Sequence, residues 1–300
     1  MAEDALRFSL IVATLGRIDP LRRLFSSLRE QTCKNFEVVI VDQNGDDRLA
    51  PLVSEYSAEM TMIHLTCSPG LSKARNAGLQ RVTGDVIAFP DDDCWYPKEF
   101  LETVAQLLNG QPQLDGCTGR ARDPDTGNSF GRWGDSTAPV TRDTVFESAV
   151  SFTIFLRKTV SDRVGKFDET LGVGSGTKWG SGEETDYLIR SIDAGSRIQY
   201  FPELEAYHPS KVDAYDVATL RRASAYGRGF GRVLRQHRLW KVAARSLIRA
   251  LGGTFVYAIQ CKPRQAGYHW RTFVGRLQGL LASPDRRGAN SRRHVEPPSG

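Results

Sequence analysis

The chain is poor in cysteine, and no two of its five cysteines stand at the spacing a zinc site needs. Cys33, Cys67, Cys94, Cys117 and Cys261 are scattered and odd in number, which excludes a fully paired disulfide framework and points to a reducing compartment. Cys94 sits beside an acidic run, but no activating base stands near it in sequence, so packing is its expected role. No basic stretch followed by an apolar one opens the chain, and no signal peptide is expected. No window of about 18 residues looks apolar and nearly uncharged, so no membrane-spanning helix is expected. The phosphate-cradling GxxxxGK[ST] loop is missing, which argues against an ordinary nucleoside triphosphatase. GxGxxG after the first strand is missing too, which removes the usual dinucleotide turn. No internal repeat is present.

What is there is ordinary in bulk, with 40% hydrophobic and 25% charged residues. The net charge of +5 hides an asymmetry. Residues 219–300 hold 17 Lys or Arg against two acids, Asp285 and Glu296, so the first 218 residues carry a net −10.

Apolar β-rich runs alternate with helical patterns through the first third. RFSLIVATL (7–15), NFEVVIVDQN (35–44), TMIHLTC (61–67) and DVIAFP (85–90) read as strands. Between them lie a helix with Asp19 as N-cap and Pro20 at N1, a weak helix over DRLAPLVSEYSAE, and a helix over LSKARNAGLQRV. Pro97 is expected to open a further helix ending at Gly110. This alternation predicts an α/β fold, a mostly parallel central sheet flanked by helices. After Gly110 the pattern loosens into Gly-, Asp- and Arg-rich irregular or hairpin structure. Ser151–Val160 then reads as a strand, EETDYLIRSIDAG as a helix and SRIQYFPELEAYHP as a late strand. Residues 1–212 are expected to form one domain and 213–280 a basic helical extension. Residues 281–300, polar and without apolar periodicity, are expected to be a disordered tail.

In parallel sheets ligands bind beyond the carboxyl ends of the strands. Asp42 ends one strand and FPDDDCWYP follows another, so Asp42, Asp91, Asp92 and Asp93 can share one rim. Three adjacent carboxylates repel one another, and a hard divalent cation relieves that repulsion. A solvated acidic loop is the plain alternative, and a two-metal nuclease or phosphatase fits the same acids. Arg75 in SPGLSKARNAGL can face phosphate or sugar oxygens, or serve a local ion pair. WGSGEETDYLIR leads glycines into a helix beginning with Glu183, Glu184 and Asp186. Acids there suit the helix dipole, yet Glu184 can also point into a cleft and take a proton from a hydroxyl.

Taken in order, SLIVATLGR, VDQN, LSKARNAGL, FPDDDCWYP and GEETDYLIR resemble the family 2 glycosyltransferases, inverting enzymes of the GT-A fold. The likeness covers roughly residues 7 to 210. It implies a donor half over 1–110 and an acceptor half over 111–212. In this resemblance Thr14 lies by the nucleoside, Asp42 accepts from the base and Arg75 lies near the donor. The family's D-x-D-D signature has Pro90 in place of its leading Asp. Asp93 then binds Mn2+ or Mg2+, and Asp92 contacts ribose or metal. A literal D-x-D would use Asp91 and Asp93. His208 is a further metal or diphosphate ligand, or a packed histidine. The family's basic aspartate falls on Glu184, with Asp186 as second choice and Glu183 as an acceptor-sugar or structural contact. Trp179 stacks on an acceptor sugar or packs in the core.

The implied activity is metal-dependent transfer of a sugar from a nucleotide-diphosphate sugar, UDP-linked by preference, to a glycan or lipid-linked hydroxyl. A non-catalytic nucleotide-sugar or glycan binding module is the alternative. The basic region beyond 219 matches no recognised nucleic-acid module, and no nucleic acid is expected as partner. Its amphipathic helices suit an anionic membrane surface, giving a cytoplasmic protein peripheral on the inner face of the plasma membrane.

Overall fold

A computed structural model describes residues 6–127, 129, 131, 133–209 and 215–282. Of the tail expected over 281–300, Leu281 still belongs to the last helix, and the part beyond Ala282 lies outside the described residues.

The first half runs β1 (Phe8–Thr14), α1 (Asp19–Arg29), β2 (Phe36–Asp42), α2 (Ala50–Ser57), β3 (Thr61–Thr66), α3 (Leu71–Leu79), β4 (Val86–Ala88) and α4 (Phe100–Gly110). The second half follows with β5 (Gly116–Arg122), β6 (Ala138–Pro139), α5 (Val145–Ser148), β7 (Phe155–Arg157), α6 (Lys158–Val164), α7 (Glu183–Asp193) and β8 (Ile198–Tyr207). Three helices close the described chain: α8 (Val217–Gln236), α9 (Trp240–Ile259) and α10 (Pro263–Leu281).

The strands form one sheet in the order β3-β2-β1-β4-β7-β5-β8-β6. β3, β2, β1 and β4 are mutually parallel, β7 runs against both β4 and β5, and β5 and β8 pair in parallel. Period-2 alternation divides the core. Phe8, Leu10 and Val12 with Val38 and Ile40 face one cluster, which α1, α2 and α4 cover. Ile11, Val39 and Val41 face the other, which α7 and parts of α8 to α10 cover.

Several elements depart from the sequence reading. Asp19 does not cap α1: Ile18 stands at the N-cap and no side chain caps the helix. α4 begins at Phe100, three residues after Pro97. β5 lies in the stretch read as irregular. Its glycines fit because Leu204 and Phe155 approach too closely for a Cβ at Gly119 and Gly116. Ser151–Val160 is not a single strand. It holds a 3-10 turn at Ser151–Thr153, then β7, then the start of α6. There burial of Val160 and the Lys158–Asp162 pair four residues apart override β propensity.

α8 and α10 cross at glycines. A Cβ on Gly231 would overlap the Arg276 carbonyl, and one on Gly279 the Arg228 carbonyl. Only bare backbone lets the helices meet this closely. Val233 and Leu234 of α8 and Leu280 of α10 join the cluster that holds Tyr187, Leu188 and Ile189 of α7. α9 is less enclosed. It is long and apolar enough to cross a membrane by length and composition, with mean hydropathy 1.2 and 22% of the stretch buried. This corrects the expectation that no such stretch exists: a window starting after Lys241 keeps only Arg245 and Arg249 as charges.

Candidate active site

β1 and β2 end level, with Thr14 opposite Asp42, and Ala13 bridges Asp91 just beyond β4. The acid triplet therefore stands on the carboxyl rim of the parallel strands beside Thr14. Thr14 Oγ1 donates to Asp92 Oδ2 at 2.8 Å, and Arg17 Nη1 donates to Asp92 Oδ1 at 2.8 Å. Arg17 also pairs with Asp93. Burial lifts the Asp92 carboxyl to about 6, against the pull of Arg17 and Thr14.

Asp91 accepts from Ser151 Oγ at 2.9 Å and from Arg75 Nη2 at 3.4 Å. Burial raises its pKa, and Arg75 works against the rise. Asp93 Oδ1 lies 3.0 Å from His208 Nε2. These two residues are far apart in sequence, and one backbone bridge brings them together. Trp95 N donates to Tyr207 O and Tyr207 N to Trp95 O, each at 2.9 Å. That pins the residue after Tyr207 against the one two before Trp95. His208 packs flat on Phe152, with ring centres 5.3 Å apart. Burial lowers its pKa, but the hydrogen bond and charge of Asp93 win and leave it raised.

Asp91, Asp93 and His208 each offer one ligand atom, all within 4.8 Å of one another. Two carboxylate oxygens and an imidazole suit a divalent cation such as Mn2+. His208 Nδ1 lies 2.8 Å from the Pro209 carbonyl. In neutral histidine that contact keeps the proton on Nδ1 and turns the Nε2 lone pair toward Asp93, as a metal ligand requires. The residues fit the ion.

Asp42 is almost fully buried. Its Oδ1 accepts from the Asn44 backbone N at 2.8 Å and Nδ2 at 2.7 Å, and its Oδ2 lies 3.2 Å from His64 Nε2.

The second acid group stands on α7. Gly182 caps this helix at φ 96°, a conformation open to glycine, and Val233 fills the space a Cβ would take. Arg75 Nη1 reaches Glu183 Oε1 at 3.4 Å, so one guanidinium joins Asp91 to α7. Phe89 and Phe167 flank it, 5.8 and 5.6 Å from its centre. Burial pushes Glu183 well above the carboxylate range, and the adjacent Glu184 charge adds to the rise. Glu184 is half-buried, and its Oε2 has no hydrogen-bond partner among the described residues.

Asp186 is different. It is fully buried, accepting from Arg190 Nε at 2.8 Å, Gln236 Nε2 at 3.0 Å and His237 Nε2 at 2.7 Å. Burial opposes its charge, yet the His237 hydrogen bond and Arg190 bring its pKa below the usual value. It ties α7 to the end of α8. Trp179 is 2% exposed and sits among Lys178 and Arg232 rather than at an open face.

Sequence reasoning did not single out Arg17, Ser151, His64, His237 or Tyr226. Burial lifts the Tyr226 phenol, Arg222 opposes, and the charges of Glu183, Glu184 and Asp91 add to the lift. Tyr226 lies on α8, where its carbonyl accepts from Ser181 Oγ. The Gly-Arg pair after β1 was a usable signal for Arg17. Nothing local marked the others, which arrive from distant segments.

Residues 9–163 match the profile of glycosyl transferase family 2. The chain belongs to this family. An uncharacterized glycosyltransferase of Haemophilus influenzae is 34% identical over 107 residues, 36% of each chain. The match thus spans about a third of that curated relative's length. Among solved structures, S. aureus TarS 1-349 in complex with UDP-GlcNAc aligns with TM-score 0.62 at 19% identity, over 93% of this chain and 94% of that one. The mannosyltransferase PcManGT of Pyrobaculum calidifontis, in complex with GDP-Man and Mn2+, aligns with TM-score 0.67 at 17% identity, over 92% and 87%. At these identities the likeness is one of fold, and the family 2 fold here is the α/β sheet described above.

Proposed function

We propose that the protein is a metal-dependent, inverting glycosyltransferase that moves a sugar from a nucleotide-diphosphate sugar to a hydroxyl of a glycan or lipid-linked acceptor. The observation that carries this is the convergence of Asp91, Asp93 and His208 on the carboxyl rim of the sheet, one guanidinium away from Glu183 and Glu184. Thr14, Asp42 and Asp92 on that rim form the nucleoside side of the donor pocket, and UDP is the preferred carrier. The solved relatives were captured with UDP-GlcNAc and with GDP-Man and Mn2+, which supports a nucleotide-sugar donor without choosing the base.

Asp91, Asp93 and His208 would hold Mn2+ or Mg2+, and the ion would supply charge neutralisation for the nucleoside diphosphate. Glu184 takes the proton of the acceptor hydroxyl. The oxygen so freed bonds to the anomeric carbon from the face opposite the diphosphate, whose carbon–oxygen bond breaks, and the configuration inverts. Glu183 keeps its own proton and orients its neighbour. Asp186, with both oxygens engaged, holds α7 in place rather than acting as base. Residues 1–110 serve the donor, 111–212 the acceptor.

α8 to α10 dock the enzyme on the cytoplasmic face of the plasma membrane. Exposed Lys241 and Arg245 on α9, followed by exposed Ile248, Phe255, Val256 and Ile259, support this.

The test is a panel of nucleotide sugars incubated with the full chain and Mn2+ or EDTA. Donor hydrolysis that requires the ion and disappears in Asp93→Ala is expected. Hydrolysis of no donor under any ion would leave the binding-module reading.

A further inference from the structure

The segment before α7 and the helices α8 and α10 border an open cavity of about 560 Å³, lined by Lys178, Trp179, Arg228, Gln278, Leu281 and Ala282. Its position is tied to the carboxylate pair. Residues 178–181 lie along α8: Arg228 Nε donates to the Lys178 carbonyl at 3.0 Å, Gly180 N to Ala225 O at 3.3 Å and Ser181 Oγ to Tyr226 O at 2.9 Å. The cavity and Glu183 are therefore at the two ends of one short, anchored stretch.

Two cations, Lys178 and Arg228, line it, and a third, Arg232, lies against the Trp179 ring. Lys178 Nζ lies 4.7 Å from the centre of the Trp179 ring, Arg232 Cζ lies 5.6 Å from the same ring, and Arg228 forms part of the wall. Among the described residues, none of the three has a carboxylate within ion-pair distance, although many arginines of this chain do. Unneutralised charges brought together repel one another, and an anion between them removes the repulsion. The rest of the lining is mostly apolar. Leu281 and Ala282 offer contact to hydrocarbon, the nearly buried Trp179 backs the wall, and Gln278 adds a neutral amide. Leu281 is 71% exposed, so the apolar side opens outward. A bare sugar finds too few hydrogen-bonding partners here, and a bare inorganic anion leaves the apolar wall uncovered.

We propose that this cavity holds the phosphate or diphosphate headgroup of an amphiphile, whose apolar chain leaves past Leu281. The proposal rests on the glycosyltransferase reading for its purpose, which is to hold an acceptor-side molecule at a fixed distance from Glu184. The headgroup can belong to a lipid-linked acceptor or to a bilayer phospholipid.

Calorimetric titration of the full chain in EDTA tests it, with geranyl diphosphate, geraniol and inorganic pyrophosphate as probes. Geranyl diphosphate is expected to bind, pyrophosphate at least about tenfold more weakly, and geraniol without measurable heat. The Lys178→Gln/Arg228→Gln/Arg232→Gln variant should lose about tenfold or more in affinity. Its thermal unfolding checks that it folds, and the single exposed substitution Lys178→Gln, which cannot unfold the chain, should weaken binding in the same direction. Asp93→Ala should bind as the wild type does, which separates this cavity from the donor pocket. Displacement of geranyl diphosphate by phosphatidylglycerol vesicles would name the bilayer as the headgroup's source, and persistence in their presence would name the acceptor. Both uphold the site. The proposal is overturned if the full chain does not bind geranyl diphosphate, if geraniol binds as well as its diphosphate, or if Asp93→Ala abolishes binding while the triple variant keeps it. A wild type that binds the probe yet hydrolyses no donor would sink the enzymatic reading and leave the cavity's ligand standing.

Discussion

Arg75 Nη1 lies 3.4 Å from Glu183 Oε1, although 108 positions separate the two residues and both side chains are almost fully buried. The other arm of the same guanidinium reaches Asp91. Removal of the cation leaves Glu183 Oε1 without its donor and the partly exposed Asp91 without its counter-charge, so Arg75→Met should cost about 1–3 kcal/mol in chemical denaturation. Glu183→Gln should cost less than about 1 kcal/mol near neutral pH, because burial already favours the protonated acid. The sign with pH follows. Glu183 has a folded pKa above its ordinary 4.5, so the wild type's advantage over the Gln variant is full below 4.5 and shrinks as pH rises through the folded value. A wild type that gained on Glu183→Gln with rising pH would contradict this.

The metal triad makes a separate claim. His208→Ala removes the imidazole proposed as a ligand, whose orientation the Pro209 carbonyl fixes. The Mn2+ concentration for half-maximal donor hydrolysis should rise by at least about tenfold. Asp93→Ala removes a ligand and the partner of both Arg17 and His208, and should leave no ion-dependent turnover. EDTA should reproduce the Asp93→Ala result in the wild type, and Mn2+ should reverse EDTA but not the mutation.

Two neighbouring acids on α7 should behave in opposite ways. Glu184→Gln should fold normally and slow transfer by about 10²–10⁴-fold, the usual weight of a general base. Asp186→Asn removes the carboxylate charge and turns one of its two acceptor oxygens into a donor facing His237, Arg190 or Gln236, and should lower stability by about 3 kcal/mol. Asp186 has a folded pKa below the ordinary 3.8. Its contribution is therefore present above 3.8 and lost as pH falls through the folded value, so wild type and Asn variant should converge in strong acid. Unfolding curves at pH 7 and near pH 3 read this directly. Full transfer by Glu184→Gln would move the base elsewhere.

The parallel part of the fold was legible because its inner strands β1, β2 and β4 are buried on both faces and bounded by turn residues, while the exposed edge strand β3 keeps a β-rich run. β1 and β2 are almost wholly apolar, and their register sets Thr14 beside Asp42 without any further information. The acid triplet was legible for the same reason, since a strand end fixes a rim position. β5 and the turn at Ser151 were not. Their residue types follow neither period, and close contacts with Leu204 and the Asp91 carboxylate decide their form. The role of Asp186 was also hidden. Its i,i+4 partner Arg190 stands in the sequence, but Gln236 and His237 come from the far end of α8. A local pattern can nominate an acid. It cannot tell a carboxylate that three donors hold from one whose oxygen is left open.

α9 supplies the remaining prediction. Among its exposed positions, Lys241, Arg245, Ile248, Arg249, Gly252, Phe255, Val256 and Ile259 recur at helical spacing, basic toward the start and apolar toward the end. Arg249 is partly spent on Glu147, at 3.3 Å, whereas Lys241 and Arg245 have no carboxylate within ion-pair distance among the described residues. A basic residue near an anionic surface contributes about 1 kcal/mol, so Lys241→Gln/Arg245→Gln should lower affinity for phosphatidylglycerol vesicles by about 30-fold at moderate salt. High salt should have the same effect on the wild type and little on the double variant. Phe255→Asp/Ile259→Asp acts on the apolar half instead and should reduce binding at every salt concentration, with donor hydrolysis in solution unaffected because α9 contributes no residue to the acid rim. Vesicle sedimentation separates the cases. Unchanged sedimentation by both variants would mean that α9 faces something other than a bilayer, and an urea- or carbonate-resistant wild type would mean that the helix enters the membrane rather than resting on it.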